Sequence, residues 1–404
     1  MSDRYPGGLI RKTPPTITPP VDGEGGSAPG IWTLEQASYQ EGVGNWPKPV
    51  LPRELYAWGL NSTGQVGDDT IITKSSPVQI GSDIDWVALS ANNNMSLARK
   101  SDGTLWTWGS GNFGCLGHGD AIPQSSPTQI GALTTWAKAS NGFFNGGAVK
   151  TDGTLWTWGY NNGGQLGQND LIARSSPVQV GSGTDWSDVT GGRYNCLAIK
   201  TDGTLWSWGL NTAVGMVGDS TLISRSSPVQ IGALTNWLKL SAGGQSYKVA
   251  AIKTDGTLWG WGRDIFGEIG LNATGNKNSP NQVGALTTWL DVASGAYSTV
   301  ATQTDGTLWC WGQGAGGQPG QNNTINKSSP TQVGTDTDWA KTGTTKEANF
   351  AIKNNGTLWG WGNGNSGRLG QDSTISYSSP VQLGSSVWQE VRGGNAHTIG
   401  ITKG

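Results

Sequence analysis

The sequence predicts an all-β fold, a seven-bladed β-propeller, mainly because a segment resembling D-G-T-L-W-T-W-G recurs along the chain. The second tryptophan of this segment occupies Trp58, Trp108, Trp158, Trp208, Trp261, Trp311 and Trp361. The spacing is 50 residues, or 53 between the fourth and fifth copies, and a fixed period of about 40 to 50 residues is typical of propellers and solenoids. The 65 glycines allow the many tight turns that short strands require.

One copy, residues 151–200, shows the strand pattern of the repeat. Its alternating or apolar segments are residues 154–159, 178–180, 186–189 and 196–200. In the first segment Trp156 and Trp158 fall on the same face of a strand, so both are predicted to point into the layer between neighbouring units. Four short strands without an intervening helix predict one propeller blade.

Five of the repeats are linked between two strands by an Asp-Gly pair. At Asp152-Gly153 the pair lies between alternating segments, which predicts a hairpin with a type I′ turn. The equivalent acidic residues are interpreted as turn formers and not as general acids. They are Asp102, Asp152, Asp202, Asp255 and Asp305. A lysine such as Lys150 precedes most of these turns, and we interpret it as solvated beside the turn aspartate.

The two ends of the repeat region predict how the ring closes. The last copy stops at residues 401–404, before the tryptophan strand that follows in every other copy. Leu55–Gly59 matches Leu358–Gly362 in sequence. The first strand of the sequence is therefore predicted to pair with the last, giving a propeller over residues 54–404 and a separate arm over residues 1–53.

Composition excludes several classes of partner. The formal net charge is -2 and only 13% of residues are charged, so there is no basic excess to neutralise nucleic acid. No apolar run approaches the roughly 20 residues that a membrane helix needs, and insertion into a membrane is not expected. The three cysteines, Cys115, Cys196 and Cys310, occupy different offsets in the repeat and indicate neither a disulfide framework nor a metal pair.

Residues for catalysis are also missing from the sequence. The two histidines, His118 and His397, lie in distant copies, with no metal-ligand spacing around either and no arrangement of a serine, histidine and aspartate triad. The glycine-rich loops follow strands without opening helices, so they lack the dipole of a phosphate cradle. The sequence predicts a protein that is not an enzyme and has no catalytic, cofactor or metal site.

One position of the repeat varies in a way that predicts a binding face. Just before the alanine-containing strand, four successive copies carry an aromatic residue. These are Phe144, Tyr194, Tyr247 and Tyr297. Aromatic and variable loop tips on a rigid ring are typical of a binding surface. The alternative is that each aromatic ring caps the tryptophan layer below it.

The repeat resembles the RCC1-like propellers, named after the eukaryotic regulator of chromosome condensation. The resemblance covers residues 54–404 and rests on the W-G strand, the G-Q-L-G loop at residues 164–167 and the S-S-P-x-Q strand. It implies the seven-bladed fold but leaves function open, because members include exchange factors, chromatin binders, inhibitors of β-lactamases and viral proteins of unknown role. The histidine frequent in the family occurs only at His397, and a basic tail is absent, so no functional residue is carried over.

The N-terminal arm carries a second resemblance. Residues 1–29 are rich in proline and glycine and are not expected to form a core of their own. A short helix is predicted near residues 33–41, and the candidate anchor residues are Ile31, Trp32, Leu34, Tyr39 and Trp46. The G-I-W-T-L segment and an earlier Y-P-G-G-L segment resemble those near the start of virion proteins in marine tailed phages. The arm is interpreted either as an anchor into another protein or as a plug on its own propeller.

Two functions from different classes follow. The first is a non-enzymatic phage virion protein, either a capsid decoration or a tail-fibre component, made in the host cytoplasm. Residues 1–50 would bind other virion proteins, and the exposed face would bind a host-surface glycan or protein. The alternative is a free RCC1-like propeller that binds another protein, as an inhibitor or an exchange factor does.

Overall fold

The computed structural model describes residues 52–212, 214–243 and 246–403, and their regular secondary structure consists almost entirely of β-strands. The predicted N-terminal arm, its helix near residues 33–41 and its five anchor residues lie outside the described residues. The anchor residues concerned are Ile31, Trp32, Leu34, Tyr39 and Trp46. Within the described ranges no helix is both long and apolar enough to cross a membrane.

The described residues contain 27 strands and two 3₁₀ helices. The first fourteen strands are β1 (Leu55–Gly59), β2 (Lys74–Gln79), β3 (Trp86–Asn92), β4 (Met95–Lys100), β5 (Leu105–Gly109), β6 (Gln124–Gln129), β7 (Trp136–Asn141), β8 (Asn145–Lys150), β9 (Leu155–Gly159), β10 (Arg174–Gln179), β11 (Trp186–Gly191), β12 (Asn195–Lys200), β13 (Leu205–Gly209) and β14 (Arg225–Gln230). The others are β15 (Trp237–Ser241), β16 (Lys248–Lys253), β17 (Leu258–Gly262), β18 (Lys277–Gln282), β19 (Trp289–Ser294), β20 (Ser298–Gln303), β21 (Leu308–Gly312), β22 (Lys327–Gln332), β23 (Trp339–Thr344), β24 (Ala348–Lys353), β25 (Thr357–Gly362), β26 (Tyr377–Gly393) and β27 (His397–Thr402). The 3₁₀ helices are Asn112–Gly114 and Asn365–Gly367.

The strands form an all-β propeller of antiparallel sheets, as predicted, but not seven separate blades. Five blades are separate four-stranded sheets, each made from four consecutive strands between β3 and β22. The remaining strands form one seven-stranded sheet in the order β2-β1-β27-β26-β25-β24-β23. The prediction of seven separate blades is therefore wrong: the structure has five separate four-stranded blades and one larger sheet.

A shortened loop explains the larger sheet. In the other copies six residues separate the glutamine of the S-S-P-x-Q strand from the next tryptophan, whereas five separate Gln382 from Trp388. β26 consequently runs through this segment without a break over 17 residues. Its first part pairs with β25, including Thr357 opposite Val387, and its last part pairs with β27. One continuous strand thus joins what are separate sheets elsewhere in the ring.

The predicted pairing of the first and last strands is observed. β1 runs antiparallel to β27 from Leu55 opposite Ile401 to Gly59 opposite His397. Backbone groups continue this link, because the Thr402 amide donates to the Glu54 carbonyl at 3.0 Å. The propeller is closed by the two ends of the repeat region.

The Asp-Gly turns differ from the predicted type. Gly153 has a φ of +76° while Asp152 is not among the residues with positive φ, so the turn is not type I′. Instead the Gly153 amide donates to Lys150 and the Lys150 amide donates to Thr154, at 2.9 and 3.0 Å, which matches a type I turn followed by a left-handed glycine. A Cβ on Gly153 would lie 2.1 Å from the carbonyl oxygen of Thr184. Only glycine fits both this φ and this close approach.

The core lies between neighbouring sheets and is built on the repeated tryptophans. The second tryptophan of all seven copies is fully buried. Trp158 packs against Trp136, with ring centroids 6.4 Å apart, and its indole N–H donates to the Cys115 carbonyl at 2.9 Å. Trp156 is only partly buried, and its indole donates to Thr154, whose hydroxyl donates in turn to Asp152. The turn aspartates therefore serve the structural role that the sequence predicts.

Candidate binding face

The four predicted aromatic residues lie at equivalent positions on one end of the sheets. Phe144 directly precedes β8, and Tyr194, Tyr247 and Tyr297 directly precede β12, β16 and β20. The first residue of β8 pairs with the last residue of β9, so these turns share one face of the propeller with the loops that follow the W-G strands. All four side chains are partly buried.

Aromatic rings from successive repeats touch one another across this face. Phe143 contacts Phe144 and Tyr194, with centroid distances of 4.4 and 5.7 Å. Tyr194 lies 6.3 Å from Tyr247. On the other side of Phe144, Phe113 lies 5.4 Å from its ring. These distances fall in the range of favourable aromatic pairs.

Two further aromatic residues extend the contacts into the loops after the W-G strands. Tyr160 lies 4.7 Å from Phe113. Phe266 lies 6.0 Å from Tyr297. The aromatic surface therefore follows the turns of successive repeats and is widened by the neighbouring loops.

Two arginines fill the spaces between these rings. The guanidinium carbon of Arg193 lies 4.6 Å from the Phe143 ring centre and 4.5 Å from that of Tyr247. Arg263 lies 5.5 Å from Tyr247 and 5.1 Å from Tyr297. Stacked guanidinium groups of this kind are attracted to the aromatic faces. We call this surface the aromatic–arginine belt, and it comprises Phe113, Phe143, Phe144, Tyr160, Arg193, Tyr194, Tyr247, Arg263, Phe266 and Tyr297.

Phe113 differs from the other belt residues in its backbone conformation. Its φ of +61° lies in the left-handed region, which is strained for a bulky residue and often marks a functional segment. The side chain is 50% exposed. The local fold thus holds a large aromatic group at the surface in an unfavourable backbone conformation.

The sequence identified four of the ten belt residues. The residues it missed are Phe113, Phe143, Tyr160, Arg193, Arg263 and Phe266. Phe143 and Arg193 are direct neighbours of predicted residues, and Tyr160 and Arg263 directly follow the W-G pair. Sequence variation between repeats at these positions is the signal that could have identified them. Only the folded structure shows that their side chains contact one another.

The alternative role of capping the layer below is partly realised. Phe144 packs against the buried cluster of Met95, Cys115 and Leu116. This contact accounts for the buried part of the ring, whereas the rest of Phe144 belongs to the belt. The two roles coexist in one side chain.

A buried lysine connects two of the turns that carry belt residues. Lys248 follows Tyr247, and its ammonium group donates to the carbonyls of Gly295 and Ser298, at 2.5 and 3.1 Å. Burial lowers the pKa of Lys248 to about 7, although the nearby charge of Glu268 opposes this change. The Lys248 ammonium group therefore links the turn at Tyr247 to the turn at Tyr297 through hydrogen bonds.

The lysines at the opposite end of the sheets pack differently from the sequence-based interpretation. The ammonium group of Lys150 lies 3.6 Å from the centre of the Trp156 ring. Lys100 stacks near two tryptophans and forms an ion pair with Asp83 at 2.6 Å, a residue of the preceding loop. These lysines cover the ends of the tryptophan layer in preference to pairing with their own turn aspartates.

The central channel is lined by the innermost strands and has a volume of about 320 Å³. Two residues after the tryptophan of the innermost strands, six of the seven repeats carry a charged residue, and the sign of the charge alternates from one repeat to the next. This position holds Ala88, Lys138, Asp188, Lys239, Asp291, Lys341 and Glu390. Lys239 pairs with Asp291 at 2.7 Å. Burial raises the pKa of Asp188, and Lys138 and Lys239 oppose the rise. The channel charges thus compensate one another around the ring.

The histidines and cysteines are dispersed, as their sequence positions indicate. His118 lies in the loop between β5 and β6, whereas His397 begins β27, and burial lowers the pKa of both imidazoles. Cys115, Cys196 and Cys310 are buried free thiols, and burial raises the pKa of each. Among the residues that the structure describes, no three acidic, histidine or cysteine side chains are grouped so as to hold a metal ion.

Comparison with known families gives two matches along the chain. Residues 52–344 match the model of the RCC1-like domain. Residues 355–401 match the model of the regulator of chromosome condensation (RCC1) repeat. No curated protein sequence matches the chain significantly.

Solved structures with a similar fold include a human and two yeast examples. Human WBSCR16 superposes with a TM-score of 0.76 at 17% identity, covering 87% of this chain and 99% of its own. Prp20p from Saccharomyces cerevisiae, studied for its binding to Gsp1p and histones, gives 0.76 at 17% identity, covering 87% and 92%. Yeast RCC1 (Prp20) bound to Kap60 gives 0.76 at 16% identity, covering 87% and 89%. At these low sequence identities, the similarity shows a shared fold and nothing more.

Proposed function

Because the chain belongs to the RCC1-like domain family, we propose that it is a protein-binding propeller that holds its partner on the aromatic–arginine belt. Family membership supports protein binding in general, since the yeast relative Prp20p binds Gsp1p and histones. The single observation that carries the choice of face is the continuity of the belt. Rings and guanidinium groups from several repeats form one surface at one end of the sheets.

The composition of the belt supports this role. Tyrosine, phenylalanine and arginine are enriched in the parts of protein interfaces that contribute most binding energy. Every belt aromatic except Phe113 is partly buried, so little freedom of these side chains remains to be lost on binding. A preorganised aromatic surface of this kind favours a protein partner.

The proposal includes no catalytic step. The turn aspartates hold the Asp-Gly turns, as Asp152 does by accepting from the Thr154 amide and hydroxyl at 2.9 and 2.7 Å. His397 and Lys248 are buried and engaged with neighbouring polar groups. The belt itself offers rings and guanidinium groups, which bind and orient but do not provide a nucleophile.

The role as a phage virion protein stays a prediction. It depends on residues 1–50, which lie outside the described residues, and on a resemblance to phage anchors that the family matches do not reproduce. The free protein-binding propeller, first considered as the alternative, is the function that the family and the belt support better. Capsid decoration, a tail fibre and a host glycan gain no support from either.

A four-residue substitution tests the proposed face. The variant F144S/Y194S/Y247S/Y297S should reduce the affinity for a partner protein by about a hundredfold or more, because the loss of two interface anchors of about 2 kcal/mol each already exceeds that factor. Partners retained by the immobilised wild-type chain are identified by quantitative mass spectrometry, and their Kd is then measured for each variant.

A matched control lies at the opposite end of the sheets. Ile84, Leu133, Leu234 and Leu286 are exposed by 46, 45, 48 and 44% in the loops before the innermost strands. Their combined replacement by serine should leave partner affinity unchanged. If this control variant lost the partner while the belt variant kept it, the binding face would be assigned to the wrong end of the propeller.

A further inference from the structure

We infer that Arg193 is a carboxylate-binding site, at which the belt recognises an acidic residue within an otherwise apolar segment of the partner protein. This inference rests on the proposed function of the belt as a protein-binding surface. It adds that the partner presents a carboxylate, and it identifies Arg193 as the residue that binds this group.

Among the residues that the structure describes, no carboxylate pairs with the guanidinium group of Arg193. Arg263, the other belt arginine, donates to Glu268 at 3.2 Å. Elsewhere in the described residues ion pairs are formed by Arg174, Arg225, Arg368 and Arg392. For Arg193 no carboxylate of the described residues lies within ion-pair distance, and its buried Nε has no hydrogen-bond partner among them. A buried donor without an acceptor costs free energy, and the positive charge of Arg193 is likewise uncompensated within the described residues.

The neighbouring rings hold this group in a suitable orientation. Phe143 and Tyr247 come from the two flanking turns and lie 4.6 and 4.5 Å from the guanidinium carbon, and Tyr194 lies at 5.5 Å. Stacking on rings restricts a planar group, leaving its N–H edge as the part that can bind. That edge matches the two oxygens of a carboxylate. The surrounding rings provide the apolar contacts expected on either side of the acidic residue.

The charges around the belt favour a protein segment over a nucleic acid. Glu268 neutralises Arg263, and Glu347 lies near both Lys346 and Arg368, at 3.7 and 3.3 Å. Arg193 is then the one belt cation without a carboxylate partner in the described part of the chain. Binding of a phosphate backbone relies on several cations acting together, whereas a single arginine among aromatic rings fits a single carboxylate with apolar neighbours.

Selection from a random peptide library tests the inference. The library is enriched on the full-length wild-type chain and depleted on the Arg193→Gln variant. The surviving peptides should share one Asp or Glu flanked by apolar residues. Changing that residue to Asn or Gln should weaken binding to the wild type about tenfold, but should have little effect on binding to Arg193→Gln, because the two changes remove the same interaction.

Control variants separate this role from a general effect of charge or stability. Arg174→Gln removes an arginine at the start of β10 that pairs with Asp170 at 2.7 Å and donates to the Ile172 carbonyl. Neither partner belongs to the belt, so this change should leave peptide affinity unchanged. Arg193→Lys keeps the charge but loses the planar fork, so affinity should fall between those of wild type and Arg193→Gln. Thermal melts of all three variants verify that each is folded.

Several outcomes would overturn the inference. They are the absence of peptides that depend on Arg193, dependent peptides without an acidic residue, and an oligothymidylate that displaces the peptides more strongly than an acidic peptide does. If partner binding needs the four aromatic residues but not Arg193, the carboxylate site is wrong and the proposed function stands. If the F144S/Y194S/Y247S/Y297S variant still binds the partner, the proposed function of the belt is wrong, and the carboxylate site that rests on it is wrong as well.

Discussion

His397 is a buried histidine at a position where two other repeats have asparagine. It opens β27, as Asn145 opens β8 and Asn195 opens β12. Its Nε2 lies 3.0 Å from the Ser96 hydroxyl oxygen, while Nδ1 has no hydrogen-bond partner among the described residues. Burial lowers the pKa of His397 from 6.5 to about 4. The imidazole is therefore neutral in the folded chain over most of the acidic range.

This histidine should make stability dependent on pH. The pKa is lower in the folded chain than in the unfolded chain, so the unfolded chain binds the proton more readily between pH 6.5 and about 4. The contribution to stability is fully present above pH 6.5 and is lost as the pH falls toward 4. The His397→Asn variant should lack this component, which amounts to about 3 kcal/mol over the full interval.

Urea unfolding of both proteins across this interval measures the effect. Carboxylates and His118 titrate in wild type and variant alike, so the difference between the two curves isolates His397. Parallel dependence of the two free energies of unfolding on pH would contradict a depressed pKa for this residue.

The strands of neighbouring repeats are joined by indole hydrogen bonds, and one of the seven repeats lacks the bond. Trp158 donates to the Cys115 carbonyl of the preceding repeat at 2.9 Å. Trp311 is equally buried, but its indole nitrogen has no partner within the described ranges. The Thr299 hydroxyl instead donates to the Glu268 carbonyl at 2.8 Å. The two tryptophans thus share their burial but not their hydrogen bonding.

This difference predicts unequal costs for the same substitution. Trp158→Phe and Trp311→Phe remove the same ring from equally buried positions, so their packing losses should be similar. Only Trp158→Phe also leaves a carbonyl without its donor. It should lower the free energy of unfolding by about 1 kcal/mol more than Trp311→Phe, as measured by urea denaturation. Equal losses would indicate that the indole bond contributes nothing to the contact between repeats.

At the level of strands, the sequence predicts what depends on local periodicity and misses what depends on pairing. Alternation around Trp156 and Trp158 identifies the strand, because side chains on a strand point to opposite faces in turn. The Asp-Gly pair that ends at Gly153 predicts the wrong turn type, because such a pair fits more than one hairpin geometry. The single missing residue before Trp388 is visible in the sequence, but its effect on β26 depends on which strands pair there.

The whole ring determines how much of the candidate site could be predicted. Equivalent positions of a closed repeat share one face. This rule identifies four belt residues from the sequence, namely Phe144, Tyr194, Tyr247 and Tyr297. The position of Arg193 between Phe143 and Tyr247 could not be found in this way, because it depends on how side chains from three repeats pack together. Periodicity places residues on a face, whereas tertiary packing decides which of them touch.

The closure of the ring gives the last prediction. Deleting residues 1–53 should leave the melting temperature nearly unchanged. Deleting residues 1–59 also removes β1, with its fully buried Leu55 and Trp58, the pairing with β27 and the indole bond from Trp58 to the Arg368 carbonyl at 2.9 Å. Because the loss of one buried tryptophan alone costs about 3 to 5 kcal/mol, the melting temperature should fall by on the order of 10 °C.

Both truncations are compared by differential scanning calorimetry, with full-length Trp58→Ala as the reference for the loss of the side chain alone. The longer deletion should be less stable than Trp58→Ala, because it also exposes the backbone groups of β27 that pair with Leu55–Gly59 and leaves an unpaired strand edge. If the two truncated proteins had the same melting temperature, pairing of the terminal strands would contribute nothing to the stability of the closed ring. The stability of the propeller would then come from contacts between neighbouring sheets alone, as in an open array of repeats.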